Sequence, residues 1–269
     1  DFDKTVEAVR ALKDAFGPEH HIHCYTSIPI KPAQAKELGE AGLDELRFHL
    51  LDLSLDRYRD SVNAASEAGI CVGIELPAEP DKHEKMHALL QELHDSPVEF
   101  LNLNELEITV GNQHNMDVRG FNLAGGITAA AEGSAELAIE LKQAAKDLDF
   151  HVKFCTASYK DAGQLRSRFR RRGEATLRPY EVLSEDDTIL FGAIPCSLED
   201  AADDMNELTE YLQLHENWIR FDGSTRRIEI PLSAAEDIAS HLTVPVLMVE
   251  VHPTHERLEV GVVNLNQYR

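Results

Sequence analysis

Residues 97–109 read P-V-E-F-L-N-L-N-E-L-E-I-T, and the reading of this stretch decides the fold. Val98, Phe100, Leu101 and Leu103 supply the bulk of a buried strand, and Asn102, Asn104, Glu105 and Glu107 crowd polar groups onto its end. Side chains alternate between faces along a strand, which puts Asn102 and Asn104 on one face. Amides and carboxylates are costly to bury without partners, so this concentration marks a site rather than filler. The plainer account is a strand end reaching water. Against it stands the recurrence of the same polar tip on other strands of the chain.

Outward from this stretch the pattern repeats as strand, polar tip, loop, helix, glycine, strand. Strands are predicted at His20–Tyr25, Leu43–Leu50, Ile70–Leu76 and Phe150–Cys155. Helices are predicted at about 33–41, 55–68, 82–94 and 134–148, with Ser54 and Ser134 as N-caps and Gly42 as a C-cap. Residues 2–16 carry Phe2, Val6, Val9, Leu12 and Phe16 at helical spacing. Successive βα units with short apolar strands imply a parallel sheet with helices outside it. We read residues 1–175 as a partial (β/α) barrel of TIM type. There the strand ends Tyr25 and Thr26, Arg47 and His49, Glu75, and Asn104 and Glu105 converge on one mouth. Residues 110–133 form a long connection that Gly120, Gly125 and Gly126 would let move. Residues 176–269 change texture and read as a small α+β domain. It includes a hairpin at Asp222-Gly223 and a final antiparallel pair joined by His252–Arg257.

The composition narrows the function. The chain has 269 residues, 43% of them apolar, and a net charge of −22, which argues against nucleic acid or an anionic membrane as a partner. The excess of acid over base is like that of a halophilic surface. No stretch approaches the length of a membrane span. Cys24, Cys71, Cys155 and Cys196 are too far apart for a metal motif and read as buried, reduced and cytoplasmic. Residues 164–173 (Q-L-R-S-R-F-R-R-R-G) form the one basic run, a phosphate grip or, more simply, a helix facing this protein's own acids. His252 and His255 read as solvated turn residues rather than metal ligands.

Five phrases carry a resemblance. They are H-I-H-C-Y-T-S (21–27), E-A-G-L-D-E-L-R-F-H (40–49), E-A-G-I-C-V-G-I-E-L-P-A (67–78), F-L-N-L-N-E-L-E (100–107) and A-S-Y-K-D-A-G-Q-L-R-S-R (157–168). As a set, over roughly residues 1–190, they resemble an archaeal branch of the radical SAM superfamily related to pyruvate formate-lyase activating enzymes. The resemblance implies S-adenosylmethionine and a [4Fe–4S] cluster as cofactors and a 5′-deoxyadenosyl radical that takes hydrogen from a substrate. It also implies an electron donor such as ferredoxin or flavodoxin. Carried over by strand, it places the cofactor at Tyr25 and Thr26, Arg47 and His49, Glu75 and Pro77, and Asn102, Asn104 and Glu105. It places substrate at Tyr159, Lys160 and Asp161. The family's C-x3-C-x2-C cluster motif is not in this sequence. The chain opens at Asp1 in a helix, and the expectation is a remainder of a longer protein, inactive by itself. The residues alone leave two other readings open. One is a cofactor-independent barrel lyase or isomerase using Glu75, His49 and Lys160. The other is a non-catalytic binding protein.

Overall fold

In the computed structural model, residues 1–267 are described. The chain opens with α1 (Phe2–Phe16), β1 (His23–Thr26), α2 (Pro32–Ala41), β2 (Glu45–Phe48), α3 (Arg59–Glu67) and β3 (Cys71–Ala78). It continues with α4 (His83–His94), β4 (Phe100–Glu105), α5 (Gln113–Val118), α6 (Ser134–Asp147) and β5 (His151–Cys155). Strands β1 to β5 form one parallel sheet in chain order. The expectation of a partial TIM-type barrel is thereby reduced to an open sheet. Its outer strands pair on one side only, and among the described residues it does not close.

Strand alternation gives the sheet two unlike faces. One carries Leu46, Phe48, Val72, Ile74, Leu101, Leu103 and Val152, all buried in a single cluster with Leu38, Val62, Leu89, Leu90 and Leu141 of the helices. Each such side chain contributes about 1.5–3 kcal/mol by leaving water. The other face carries Tyr25, Arg47, Glu75, Asn102 and Asn104. Register aligns Tyr25 with Arg47, Arg47 with Gly73, Gly73 with Phe100, and Glu75 with Asn102. At Gly73 a Cβ would lie 2.2 Å from the Phe100 ring, so glycine is what lets that ring lie across β3.

Helix ends depart from expectation in two places. Gly42 does close α2, with φ of 96°. Ser54, however, caps nothing: α3 starts at Arg59, and the Ser54 hydroxyl accepts from the Asp56 amide in a turn. Ser134 is a helical residue rather than the N-cap of α6, because its hydroxyl is used elsewhere. Fully buried, it donates to the Ala78 carbonyl and accepts from the Leu106 amide, each at 2.8 Å, joining the ends of β3 and β4. The connection 110–133 is also more ordered than expected. It contains α5, bridges Glu107–Ala130 and Leu123–Ala131, and a small cluster of Leu106, Met116 and Ala131. Arg119 fastens it to Glu79 and Asp81 at 2.5 and 2.6 Å.

The chain divides into two compact units, Asp1–Lys160 and Asp161–Arg269. Three-residue α7 (Ala157–Tyr159) closes the first, and α8 (Arg166–Thr176) belongs with the second rather than with the sheet before it. Within the second unit α8 packs Phe169 on His252 and Gly173 against Leu183. Arg166 and Arg170 both grip buried Asp187, so two arginines of the basic run serve the protein's own acid. The second unit holds β6 (Val182–Leu183), β7 (Ile189–Pro195), α9 (Ala201–Leu212), β8 (Arg220–Asp222), β9 (Arg227–Ile230) and α10 (Leu232–Ile238). It ends with β10 (Leu247–Val251) and β11 (Glu259–Asn264). All of its strand pairs are antiparallel, in the order β11-β10-β7-β9-β8 with β6 beside β7. The turn residue His252 is less solvated than expected: it packs on Phe169 with ring centres 4.9 Å apart, and its Nδ1 is buried.

Candidate cofactor cleft

Glu75 is the hub of the polar face. Its position on β3 lets one oxygen accept from Arg47 of β2 at 2.8 Å and from Asn102 of β4 at 3.1 Å. The other oxygen accepts from Asn104 at 3.0 Å. Burial works against the charge of this half-buried carboxylate. The bonds from Arg47, Asn102 and Asn104 outweigh it and hold the carboxyl below its ordinary value. Arg47 is fixed in turn by Glu45 at 2.5 Å and by the Tyr25 hydroxyl at 3.0 Å, and its guanidinium stacks on both Tyr25 and Phe100. Glu45 stands two residues before Arg47, on the same face of β2. That spacing was the available signal for it, and sequence reasoning left it out.

Beside this hub a cleft of about 520 Å³ is lined by Tyr25, His49, Glu75, Leu76, Pro77, Asn104, Glu105, Leu106, Glu107 and Lys160. The volume is that of a small-molecule site. His49 Nδ1 lies 3.1 Å from the Glu75 carbonyl. A carbonyl only accepts, so Nδ1 carries the proton and Nε2 is left for a ligand. Glu105 accepts from the Ala157 amide at 2.6 Å, and Lys160 pairs with Glu107. Glu107 extends the Glu105 spacing by two residues, which was its signal in the sequence.

Seven of the expected site residues therefore share the cleft: Tyr25, His49, Glu75, Pro77, Asn104, Glu105 and Lys160. Arg47 and Asn102 stand behind Glu75 and hold it, and the Asn102 side-chain oxygen is buried without a partner. The other three expected residues neither line the cleft nor hold Glu75. The Thr26 hydroxyl is spent on a turn with Ile28, Tyr159 is exposed, and Asp161 is exposed in the second unit.

No family model matches the chain. It is 31% identical over 274 residues to a protein of Methanocaldococcus jannaschii named "Putative glycyl-radical enzyme activating enzyme MJ0021", a match covering 96% of this chain and 71% of that one. The chain belongs to the radical SAM family. A solved structure, that of 2,3-dimethylmalate lyase of the PEP mutase/isocitrate lyase superfamily, matches at 14% identity with a TM-score of 0.34, too low to argue from. The match covers 65% of this chain, which spans 64% of that lyase.

The cofactors of the radical SAM family fit this chain unequally. The four cysteines are free, with Cys155 buried and the others half-buried. None belongs to a group of metal-ligating side chains among the described residues. Burial pushes the Cys71 thiol up to about 11, with Glu99 adding to it, and burial beside Asp204 does the same to Cys196. Iron–sulfur clusters need neighbouring thiolates, so the described residues do not fit a [4Fe–4S] cluster. S-adenosylmethionine fits better. The cleft offers the Tyr25 ring and Pro77 as apolar wall, His49 Nε2 and the Asn104 carbonyl as polar contacts, and the Glu105 carboxylate for a cationic ligand. Among the described residues no helix is long and apolar enough to cross a membrane.

Proposed function

We propose that this cleft binds S-adenosylmethionine and that the chain supplies the cofactor-binding sheet of a radical SAM activating enzyme. The observation that carries the reading is the convergence of Tyr25, His49, Glu75, Asn104 and Glu105, from four neighbouring strands or the residues just after them, on one cleft. S-adenosylmethionine, when bound, would supply a 5′-deoxyadenosyl radical with release of methionine, and the electron donor to the enzyme would be a protein such as ferredoxin or flavodoxin. The name of the archaeal relative extends the reading to a protein substrate, a glycyl-radical enzyme.

The residues divide the work. Glu75 accepts from Arg47, Asn102 and Asn104 and so orients all three beside the cleft. Its depressed carboxyl also makes it a poor proton acceptor, which weighs against cofactor-independent acid–base chemistry. His49 Nε2, the Tyr25 hydroxyl and the Asn104 carbonyl are the groups left to meet ribose and adenine. Equilibrium dialysis against S-adenosylmethionine tests the reading without needing turnover. The chain is expected to bind the cofactor, with His49→Ala and Asn104→Ala each weakening it by about tenfold or more. No binding by the unmodified chain overturns the proposal.

A further inference from the structure

Away from the cleft, two imidazoles and a carboxylate come together on the outer helices. His83 and His87 lie four residues apart on α4 and so share a face of it. Glu140 comes from α6. His83 Nε2 stands 2.9 and 3.0 Å from the two Glu140 oxygens, and His87 Nε2 stands 3.0 Å from the first of them. The two rings are 4.7 Å apart, tilted by 38°. All three donor atoms fall within 4.8 Å of one another.

We propose that His83, His87 and Glu140 form a binding site for a divalent late transition-metal ion of the zinc type. Zinc sits about 2.0–2.1 Å from imidazole nitrogen and carboxylate oxygen, which puts neighbouring ligand atoms of a tetrahedron roughly 3.3 Å apart. The observed spacings are a few tenths of an ångström short of that, so small side-chain movements open the site. Three protein ligands leave a fourth position for water. The donor set of nitrogen and carboxylate oxygen favours zinc, nickel or copper over calcium or magnesium. A second cluster, His21, His23 and Glu45, is the weaker candidate, because buried Glu45 is already committed to Arg47. An ion at Glu140 would clip α4, which leads into β4, to α6, which leads into β5.

The probe is Zn²⁺ alone, titrated into the whole chain in competition with a chromogenic chelator. The variants are His83→Gln/His87→Gln, Glu140→Gln and, as a control, His21→Gln/His23→Gln. His21, His23, His83 and Glu140 are exposed and His87 is half-buried, and far-UV circular dichroism checks that each variant is folded. The double variant at 83 and 87 is expected to bind one Zn²⁺ fewer than the unmodified chain and to lose its Zn²⁺-dependent rise in melting temperature. Glu140→Gln is expected to weaken that site by about tenfold or more, and the control is expected to keep it. Equal binding by the unmodified chain and the 83/87 variant overturns the proposal. So does an unaltered affinity in Glu140→Gln.

Discussion

Glu75 and Glu229 each face an arginine, yet their carboxyls are pushed in opposite directions. Glu75, on the polar face of the parallel sheet, collects Arg47, Asn102 and Asn104, and these donors overcome its burial. Glu229, on β9 of the second unit, is buried more completely. It has Arg178 at 2.8 Å and the Tyr180 hydroxyl, but burial prevails over both and raises its carboxyl, with nearby Asp222 adding to the rise. An arginine alone does not decide the charge of a buried acid; the number of donors set against the loss of water does. The first arrangement holds a charged hub beside an open cleft. The second is a packed element of a core.

The sharpest way to break this contrast is Arg47→Ala. It strips the strongest donor from Glu75, leaves Glu45 without its partner and removes the stack on Tyr25 and Phe100. The expected cost is about 3 kcal/mol in urea unfolding, with loss of cleft binding. Next comes Gly73→Ala, whose Cβ displaces the Phe100 ring and with it the seat of Arg47. About 2 kcal/mol of destabilisation is expected, together with a changed near-ultraviolet circular dichroism signal. Gly192→Ala is the matched control in the second unit. Its Cβ would meet the Ala235 Cβ at 2.3 Å, so it should cost stability without altering the cleft.

Acid titration of stability sharpens the comparison further. The Glu75 carboxyl is lowered in the folded chain, so its contribution is present above the ordinary 4.5 and lost as pH falls through the folded value. The Glu229 carboxyl is raised, so its contribution is present below 4.5 and lost as pH rises from there through the folded value. Glu75→Gln should therefore flatten the acid limb of a stability–pH curve and cost about 1–2 kcal/mol at neutral pH. Glu229→Gln should relieve the loss above 4.5 and have the smallest net effect, within about 1 kcal/mol. Equal responses from the two variants would remove the distinction.

The parallel sheet was legible because its strands are short, apolar and separated by stretches of helical spacing, and the cleft because polar residues recur at the strand ends. Asn102 and Asn104 read correctly as residues of one face. What the sequence concealed were choices made by distant partners. Ser134 looks like a cap by position, but its hydroxyl serves Ala78 and Leu106. The basic run, by contrast, read most simply as a helix facing the protein's own acids, and Arg166 and Arg170 do pair with Asp187. Glu45 gave no sign of its role until Arg47 came to meet it, and Glu107, legible as part of a polar strand end, did not announce Lys160 as its partner. Sheet closure is likewise a property of which strands find neighbours, and no single strand's pattern encodes it.

The bridged connection between β4 and β5 has a consequence for the order in which the chain folds. The strand β5 can pair with β4 only after everything between Glu105 and His151 has been gathered in. The pairing of Glu107 with Ala130 folds that long excursion back on itself, and the Arg119 clamp ties it to Glu79 and Asp81, so both shorten the free loop once formed. Each halving of the free loop saves about 0.6 kcal/mol of closure entropy. A chain lacking the clamp, Arg119→Ala, should thus refold more slowly in stopped-flow experiments, with β5 the last strand to dock.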